Sequence, residues 1–412
     1  MKRCYFDHAA ATPVLPTVLA AMEPYWSTQF ANASAIHSEG VEARNALEAS
    51  RKRISETLGV TPETCIFTSS TTESVQLAFM GAVHAWQKQH EGKRPEIIIS
   101  SIEHDAVLET ARLLEAEGAL VHRLPVNSDG IVAFEELMPL ITMETVLVSV
   151  MLVNNEVGTV QPIADVAHVV RKWKREVRGV QRDRSPAPED MYPLLHTDAT
   201  QAVNYYELNI PQLGVDMLSC NSSKIYGPKG IGLLYRSMNT VLLPTLVGGG
   251  QEFALRAGTE PVMLAVGFAE AFVHAQHTAT TESVRLMPLR MQLFTACVEA
   301  GKKHNIEMFV NGEPEYERVP NNVHVSFANT DHEYLAILLD KEGFAVATKS
   351  ACNEREAEES HVLHAIAQAK DSSPGQPLSG LRLTLGRGTT EEDIKLLGEA
   401  IARVLPLAHV NA

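Results

Sequence analysis

The sequence predicts an α/β protein, with a large domain on a mostly parallel sheet over residues 15–264 and a smaller α+β domain over 265–412, completed by residues 1–14. Three observations lead there. At 412 residues the chain exceeds the length at which one hydrophobic core stops growing. Its first two thirds alternate helical segments with short apolar runs, the pattern of helices covering buried parallel strands. From about residue 265 the texture changes to long helical stretches followed by a few strands.

In chain order, Val41 to Leu58 reads as a helix, because Ala43, Leu47, Ile54 and Leu58 fall near one face and Gly59 can cap its end. Thr72 to Gln89 and Glu103 to Glu117 read similarly. The strand candidates are Cys65-Ile66-Phe67, Glu96 to Ser100, Val146 to Val153, Leu194 to Thr197, Met217 to Cys220 and Gly230 to Tyr235. Lys172 to Met191, charged at its start and proline-rich later, reads as a solvated surface insertion. The later region offers helices Met263 to Gln276 and Glu282 to His304, strands Asn322 to Phe327 and Leu381 to Leu385, and a helix from Glu391.

Composition narrows the function. Hydrophobic residues make up 45% of the chain, enough for a sizeable core, and the formal charge of −15 argues against a nucleic-acid partner. Cys4, Cys65, Cys220, Cys297 and Cys352 are scattered without a CxxC pair, so neither a disulfide framework nor a metal site is expected. A cytoplasmic location fits this cysteine usage, an N-terminus that reaches Asp7 too soon for a signal peptide, and apolar runs far short of a membrane span.

Ligands gather beyond the carboxyl ends of parallel strands, and there this chain concentrates its polar groups. Thr68 to Glu73, Glu103-His104, Asn154-Asn155-Glu156, Asp198 with Gln201, and Asn221 to Lys224 each close a strand candidate. Lys224 offers an amine able to form a Schiff base, and Asp198, 26 residues earlier, a carboxylate able to hold a pyridinium nitrogen. Together they are the minimal protein side of a pyridoxal phosphate site. The hydroxyls of Ser69 to Thr72 stand at a helix start suited to a phosphate, although such residues also cap ordinary helices. His104 can stack on an aromatic ring and move protons, or merely cap. Cys352 lies in a polar, acidic stretch, whereas burial is the expected fate of Cys65 and Cys220. Arg382 and Arg387 compete to grip an α-carboxylate, and their five-residue offset puts them on opposite faces of a regular strand.

These residues bring a family resemblance. His196-Thr197-Asp198-Ala199-Thr200-Gln201, Ser223-Lys224-Ile225-Tyr226-Gly227-Pro228-Lys229-Gly230, Arg256-Ala257-Gly258-Thr259 and Ser350-Ala351-Cys352, in that order, resemble a cysteine desulfurase of the NifS/IscS type. Asn154 to Gly158 and Asn32 to Ser38 are similar as well. The resemblance implies the class V branch of fold-type-I pyridoxal phosphate enzymes, with a seven-stranded central sheet and a homodimer. It implies conversion of L-cysteine to L-alanine, with the sulfur passed to acceptors in iron–sulfur cluster or tRNA-thiolation pathways.

By the same resemblance Lys224 holds the cofactor and shuttles protons, Asp198 binds the ring nitrogen, and His104 stacks on the ring. Gln201 and Asn155 contact the phenolic oxygen; Thr71, Thr72 and Ser223 hold the phosphate, which Thr259 reaches from the other subunit. Asn155 and Arg382 bind the substrate carboxylate, and Cys352 takes the sulfur as a persulfide. The chain departs from the family pattern at Ser70-Thr71 (usually Gly-Ala), Asn221 (Ser or Thr), Ser223 (His) and Lys349 (Gly). Two other readings stand beside it: a related lyase or aminotransferase such as one acting on selenocysteine, and a scaffold with an altered cofactor site.

Overall fold

The computed structural model describes residues 3–179, 191–313, 317–348, 359–369 and 377–410. Its strands are β1 (Cys4–Tyr5), β2 (Cys65–Thr68), β3 (Glu96–Ser100), β4 (Leu120–Leu124), β5 (Thr145–Ser149), β6 (Leu194–Asp198), β7 (Met217–Asn221), β8 (Gly232–Arg236), β9 (Met308–Val310), β10 (Asn322–Phe327), β11 (Phe344–Ala345) and β12 (Leu381–Thr384). Seven of them form one sheet in the order β2-β8-β7-β6-β5-β3-β4, parallel throughout except for β8. Ile97, Ile98 and Ile99 of β3 and Val146, Leu147 and Val148 of β5 are wholly buried. Burial on both faces is why these strands read as continuous apolar runs, each such side chain contributing roughly 1.5–3 kcal/mol.

Helices cover the sheet. Ser38–Leu58 buries Ala43, Leu47, Ile54 and Leu58 and ends at Gly59, whose φ of 71° is the left-handed cap the sequence anticipated. Thr71–Gln89 and Asp105–Ala116 follow β2 and β3. A second, antiparallel sheet has the order β12-β10-β9, with Arg382 opposite His324, and β1 pairs in parallel with β11.

Several elements differ from expectation. The two helices foreseen around 263–304 are one, Val262–His304, because His277 to Thr281 contains no glycine or proline and burial continues through Gln276, Ala279 and Leu286. Pro288 sits inside this helix at the cost of one backbone hydrogen bond. The boundary anticipated at 264/265 falls in its first turn. β5 ends at Ser149, and Val150 to Val153 are apolar because they are buried, the Met151 amide turning away to the Glu103 carboxylate. The expected insertion begins too early: Lys172 to Glu176 complete the helix Ile163–Glu176, whose Val166, Val170 and Trp173 face the core. Residues 180–190 lie outside the described residues. No helix among the described residues is long and apolar enough to cross a membrane.

Candidate active site

The carboxyl ends of β2, β3, β5, β6 and β7 open on one cavity of about 190 Å³, lined by Thr71, Thr72, His104, Asn155, Asp198, Gln201, Ser223, Lys224 and Arg382. Ala9 and Ala10 close it from the chain's beginning. Thr259 is exposed and outside this lining, and Cys352 lies outside the described residues.

Asp198 ends β6, 5% exposed, with its Oδ1 accepting from the Thr200 amide at 2.9 Å. Burial raises its pKa, opposed by the Thr200 hydrogen bonds and by the charges of His104 and Lys224. A buried carboxylate so placed favours a cationic partner. Lys224 follows β7 in a tight turn: Tyr226 has φ 64° and its amide is held by the Thr12 hydroxyl at 2.7 Å. Non-glycine residues in this region mark a backbone held by its surroundings. The Lys224 Nζ donates to the Ala10 carbonyl, and its own carbonyl accepts from Asn204 Nδ2 at 2.7 Å.

His104 both caps and lines the cavity. Its Nδ1 accepts from the Ala106 amide at 3.1 Å, which puts the proton of the neutral ring on Nε2. Glu103 beneath it is fully buried, accepting from Ser100 Oγ at 2.7 Å and the Met151 amide at 2.8 Å through one oxygen. Burial pushes this carboxyl up to about 8.

The helix Thr71–Gln89 begins at the cavity. Ser70 Oγ caps the Glu73 amide, and Glu73 bonds back to the Ser69 amide and to Arg256 Nε, the latter at 2.9 Å. β8 passes directly below: a Cβ on Gly232 would stand 2.7 Å from the Ser70 carbonyl carbon, so only glycine allows the approach. Early amides of a helix lack intrahelical partners and suit an anion.

Arg382 on β12 is 1% exposed; it donates to Asp7 Oδ1 at 2.9 Å and to the Asn155 carbonyl at 3.1 Å. Arg387 points elsewhere, to His274 at 2.6 Å and over the Tyr226 ring at 5.1 Å. Of the two arginines only Arg382 lies on β12, which ends at Thr384; Arg387 stands in the turn beyond it. The cysteines separate as sharply. Cys4, Cys65, Cys220 and Cys297 are buried; desolvation lifts Cys65 and Cys297 to about 12, and Cys220 well above its ordinary value. None of these four suits a nucleophile.

Nearly the whole chain, residues 4–178 and 188–397, matches the model of the aminotransferase class-V family. The chain belongs to the class-V aminotransferase family. The cysteine desulfurase IscS of Dictyoglomus turgidum is 37% identical over 406 residues, covering 98% of this chain and 95% of that protein. The cysteine desulfurase IscS 1 of Archaeoglobus fulgidus is 36% identical, covering 97% and 96%. Among solved structures, a NifS-like protein superposes with a TM-score of 0.84 at 32% identity, covering 98% of this chain and 100% of that one. SspA in complex with cysteine gives 0.72 at 31%, covering 92% and 98%.

Sequence reasoning passed over four parts of this class-V site. Asp7 and the Ala9-Ala10 segment are brought in only by tertiary structure, from more than 370 residues away from Arg382. Thr200 was visible beside Asp198, and Glu103 beside His104, but no local signal separates them from capping or surface residues.

Proposed function

We propose that this chain is a pyridoxal phosphate-dependent cysteine desulfurase, acting in the cytoplasm as a homodimer and passing sulfur from L-cysteine through Cys352 to acceptor proteins. The observation that carries this reading is the single cavity in which Lys224, Asp198, His104 and Arg382 meet. The residues present fit the cofactor: the buried Asp198 suits a protonated ring nitrogen, Thr71 and Thr72 lie at a helix start suited to a phosphate, and Lys224 supplies the amine. When bound, pyridoxal phosphate withdraws electrons from the substrate's α-carbon.

The chain's own residues divide the remaining work. Asp198 would hold the ring nitrogen, and His104 would support the ring, with its Nε2 proton fixed by the bond that Nδ1 accepts from the Ala106 amide. Arg382, oriented by Asp7 and the Asn155 carbonyl, receives the substrate carboxylate. Lys224 moves protons at the substrate's α-carbon. The Cys352 thiolate attacks the sulfur of L-cysteine; the sulfur–sulfur bond forms, the carbon–sulfur bond breaks, and the carbon fragment keeps that electron pair and takes up protons to become L-alanine.

Both described ends of the segment containing Cys352 support this assignment. Ala347 exchanges backbone hydrogen bonds with Arg382, at 3.2 and 2.7 Å. Ser360 Oγ donates to Glu156 at 2.6 Å, and His361 Nε2 lies 3.0 Å from the Glu103 carbonyl. The described residues on either side of Cys352 are thus tied to Arg382 and to neighbours of Asn155 and His104. Exposed apolar side chains, Phe30 at 75% and Ile36 at 95%, together with the exposed Thr259, support a second subunit.

The test is alanine and persulfide formation from L-cysteine by the cofactor-loaded protein and by Cys352→Ala. The variant should keep the cofactor's visible absorbance and lose turnover with L-cysteine. Full turnover by Cys352→Ala would rule out the persulfide route.

A further inference from the structure

Along the cavity wall, four side chains from three strand ends are joined in series. Ser223 Oγ lies 2.9 Å from Asn221 Oδ1, Asn221 Nδ2 lies 2.9 Å from Thr71 Oγ1, and Thr71 Oγ1 lies 2.8 Å from Thr200 Oγ1. Thr200 then holds Asp198 Oδ1 through its backbone amide at 2.9 Å.

The direction of the series follows from Asn221. Its amide nitrogen only donates, so the Thr71 hydroxyl accepts from it and gives its own proton to Thr200 Oγ1. The Asn221 carbonyl only accepts, and receives the proton of the Ser223 hydroxyl. Asn221 is the one member whose donor and acceptor are separate atoms, so it sets the sense of the whole series. Hydrogen bonds aligned in this way polarise one another, and a break is felt along the chain.

We propose that Asn221 is a positioning residue, which orients a one-way hydrogen-bond chain from Ser223, beside Lys224, to Asp198 and so fixes the lysine loop and the ring-nitrogen carboxylate relative to each other. The proposal rests on the pyridoxal phosphate reading given above. It assigns the Thr71 hydroxyl to this chain, leaving the early amides of its helix for the phosphate.

The experiment uses the full-length protein loaded with pyridoxal 5'-phosphate, and reads the cofactor's dissociation constant and the pH midpoint of its visible absorbance. Thr71→Val keeps the shape and removes the hydroxyl; it should weaken cofactor binding on the order of tenfold and move the midpoint by roughly half a unit or more. Thr71→Ser should restore both. Asn221→Ala should reproduce the Thr71→Val effects, and the double variant should be no worse than the weaker single by more than about twofold, since both cut one chain. A purely structural cross-link would lower the melting temperature and leave the midpoint unmoved, which would overturn the proposal; so would additive effects in the double variant. A wild-type protein without a visible cofactor band would overturn the cofactor reading and this proposal with it, whereas a normal wild-type band with unmoved variants overturns this proposal alone.

Discussion

The two walls of the cavity are built in opposite ways. One is the row of strand ends, where Thr71, His104, Asp198 and Lys224 each sit within six residues of a strand of the seven-stranded sheet. The other joins the chain's two extremities: Ala9 and Ala10 from the beginning, Arg382 from β12, with Asp7 pairing to Arg382 and the Asn155 carbonyl bridging to the first wall. The first wall sets a buried carboxylate, Asp198, and the Lys224 amine among hydroxyl and amide hydrogen bonds, whereas the second centres on the Arg382–Asp7 ion pair. The difference matches the division of labour in the proposed function, in which the sheet wall holds the cofactor and the wall of chain ends orients the substrate carboxylate.

Substitutions should separate those tasks. The largest effect is expected for Lys224→Ala, which should abolish the visible band formed with pyridoxal phosphate and lower L-cysteine turnover by ~10³-fold or more, measured by alanine release. On the other wall, Arg382→Lys should leave the band intact and lower kcat/KM by roughly 100-fold, because a point charge replaces a planar fork. Asp7→Asn should be milder, raising KM for L-cysteine by about tenfold with a smaller change in kcat, since it loosens a buried guanidinium without removing it. If Asp7→Asn instead erased the cofactor band, the division between the walls would be wrong.

A pH test sharpens the sheet wall. Burial holds the Glu103 carboxyl near 8 against an unfolded value of 4.5. The folded protein therefore keeps a proton that the unfolded chain loses first. Stability from this group is fully present below about 4.5 and falls as the pH rises towards 8. Glu103→Gln should flatten that decline, by an amount on the order of a few kcal/mol at pH 8, read from denaturation midpoints at pH 5 and 8. The smallest effect is expected for Ser360→Ala, which removes the bond to Glu156 beyond the Cys352 segment and should lower persulfide formation by only a few-fold, with cofactor binding unchanged.

The same contrast explains what could be read in advance. Parallel strands buried on both faces announce themselves as apolar runs, so β2, β3, β6 and β7 and the polar groups that close them were legible, as was the Gly59 cap. The edge strand β4 was not, because its His122 and Arg123 break the apolar run where one side of the strand meets no neighbour. Val150 to Val153 misled in the other sense: the run stays buried, and its Val150 and Leu152 amides still bond to β6 carbonyls, although the strand itself ends at Ser149. At the site, the family resemblance already favoured Arg382 over Arg387; alternation along a strand could not, since β12 ends at Thr384, before Arg387. Asp7 and the Thr71 to Asn221 bond had no local trace at all, since sequence separations of 375 and 150 residues leave no periodicity to read.

The central claim is that both walls serve one reaction, and a single spectroscopic experiment addresses it. Purified protein is mixed with pyridoxal phosphate, its visible spectrum recorded, and L-cysteine then added while alanine is counted. A visible band that is missing in Lys224→Ala, changes on adding L-cysteine to the wild type, and is followed by stoichiometric alanine is the predicted result. A wild-type protein that shows no band with excess cofactor, or a band that L-cysteine leaves unchanged with no alanine formed, would contradict it.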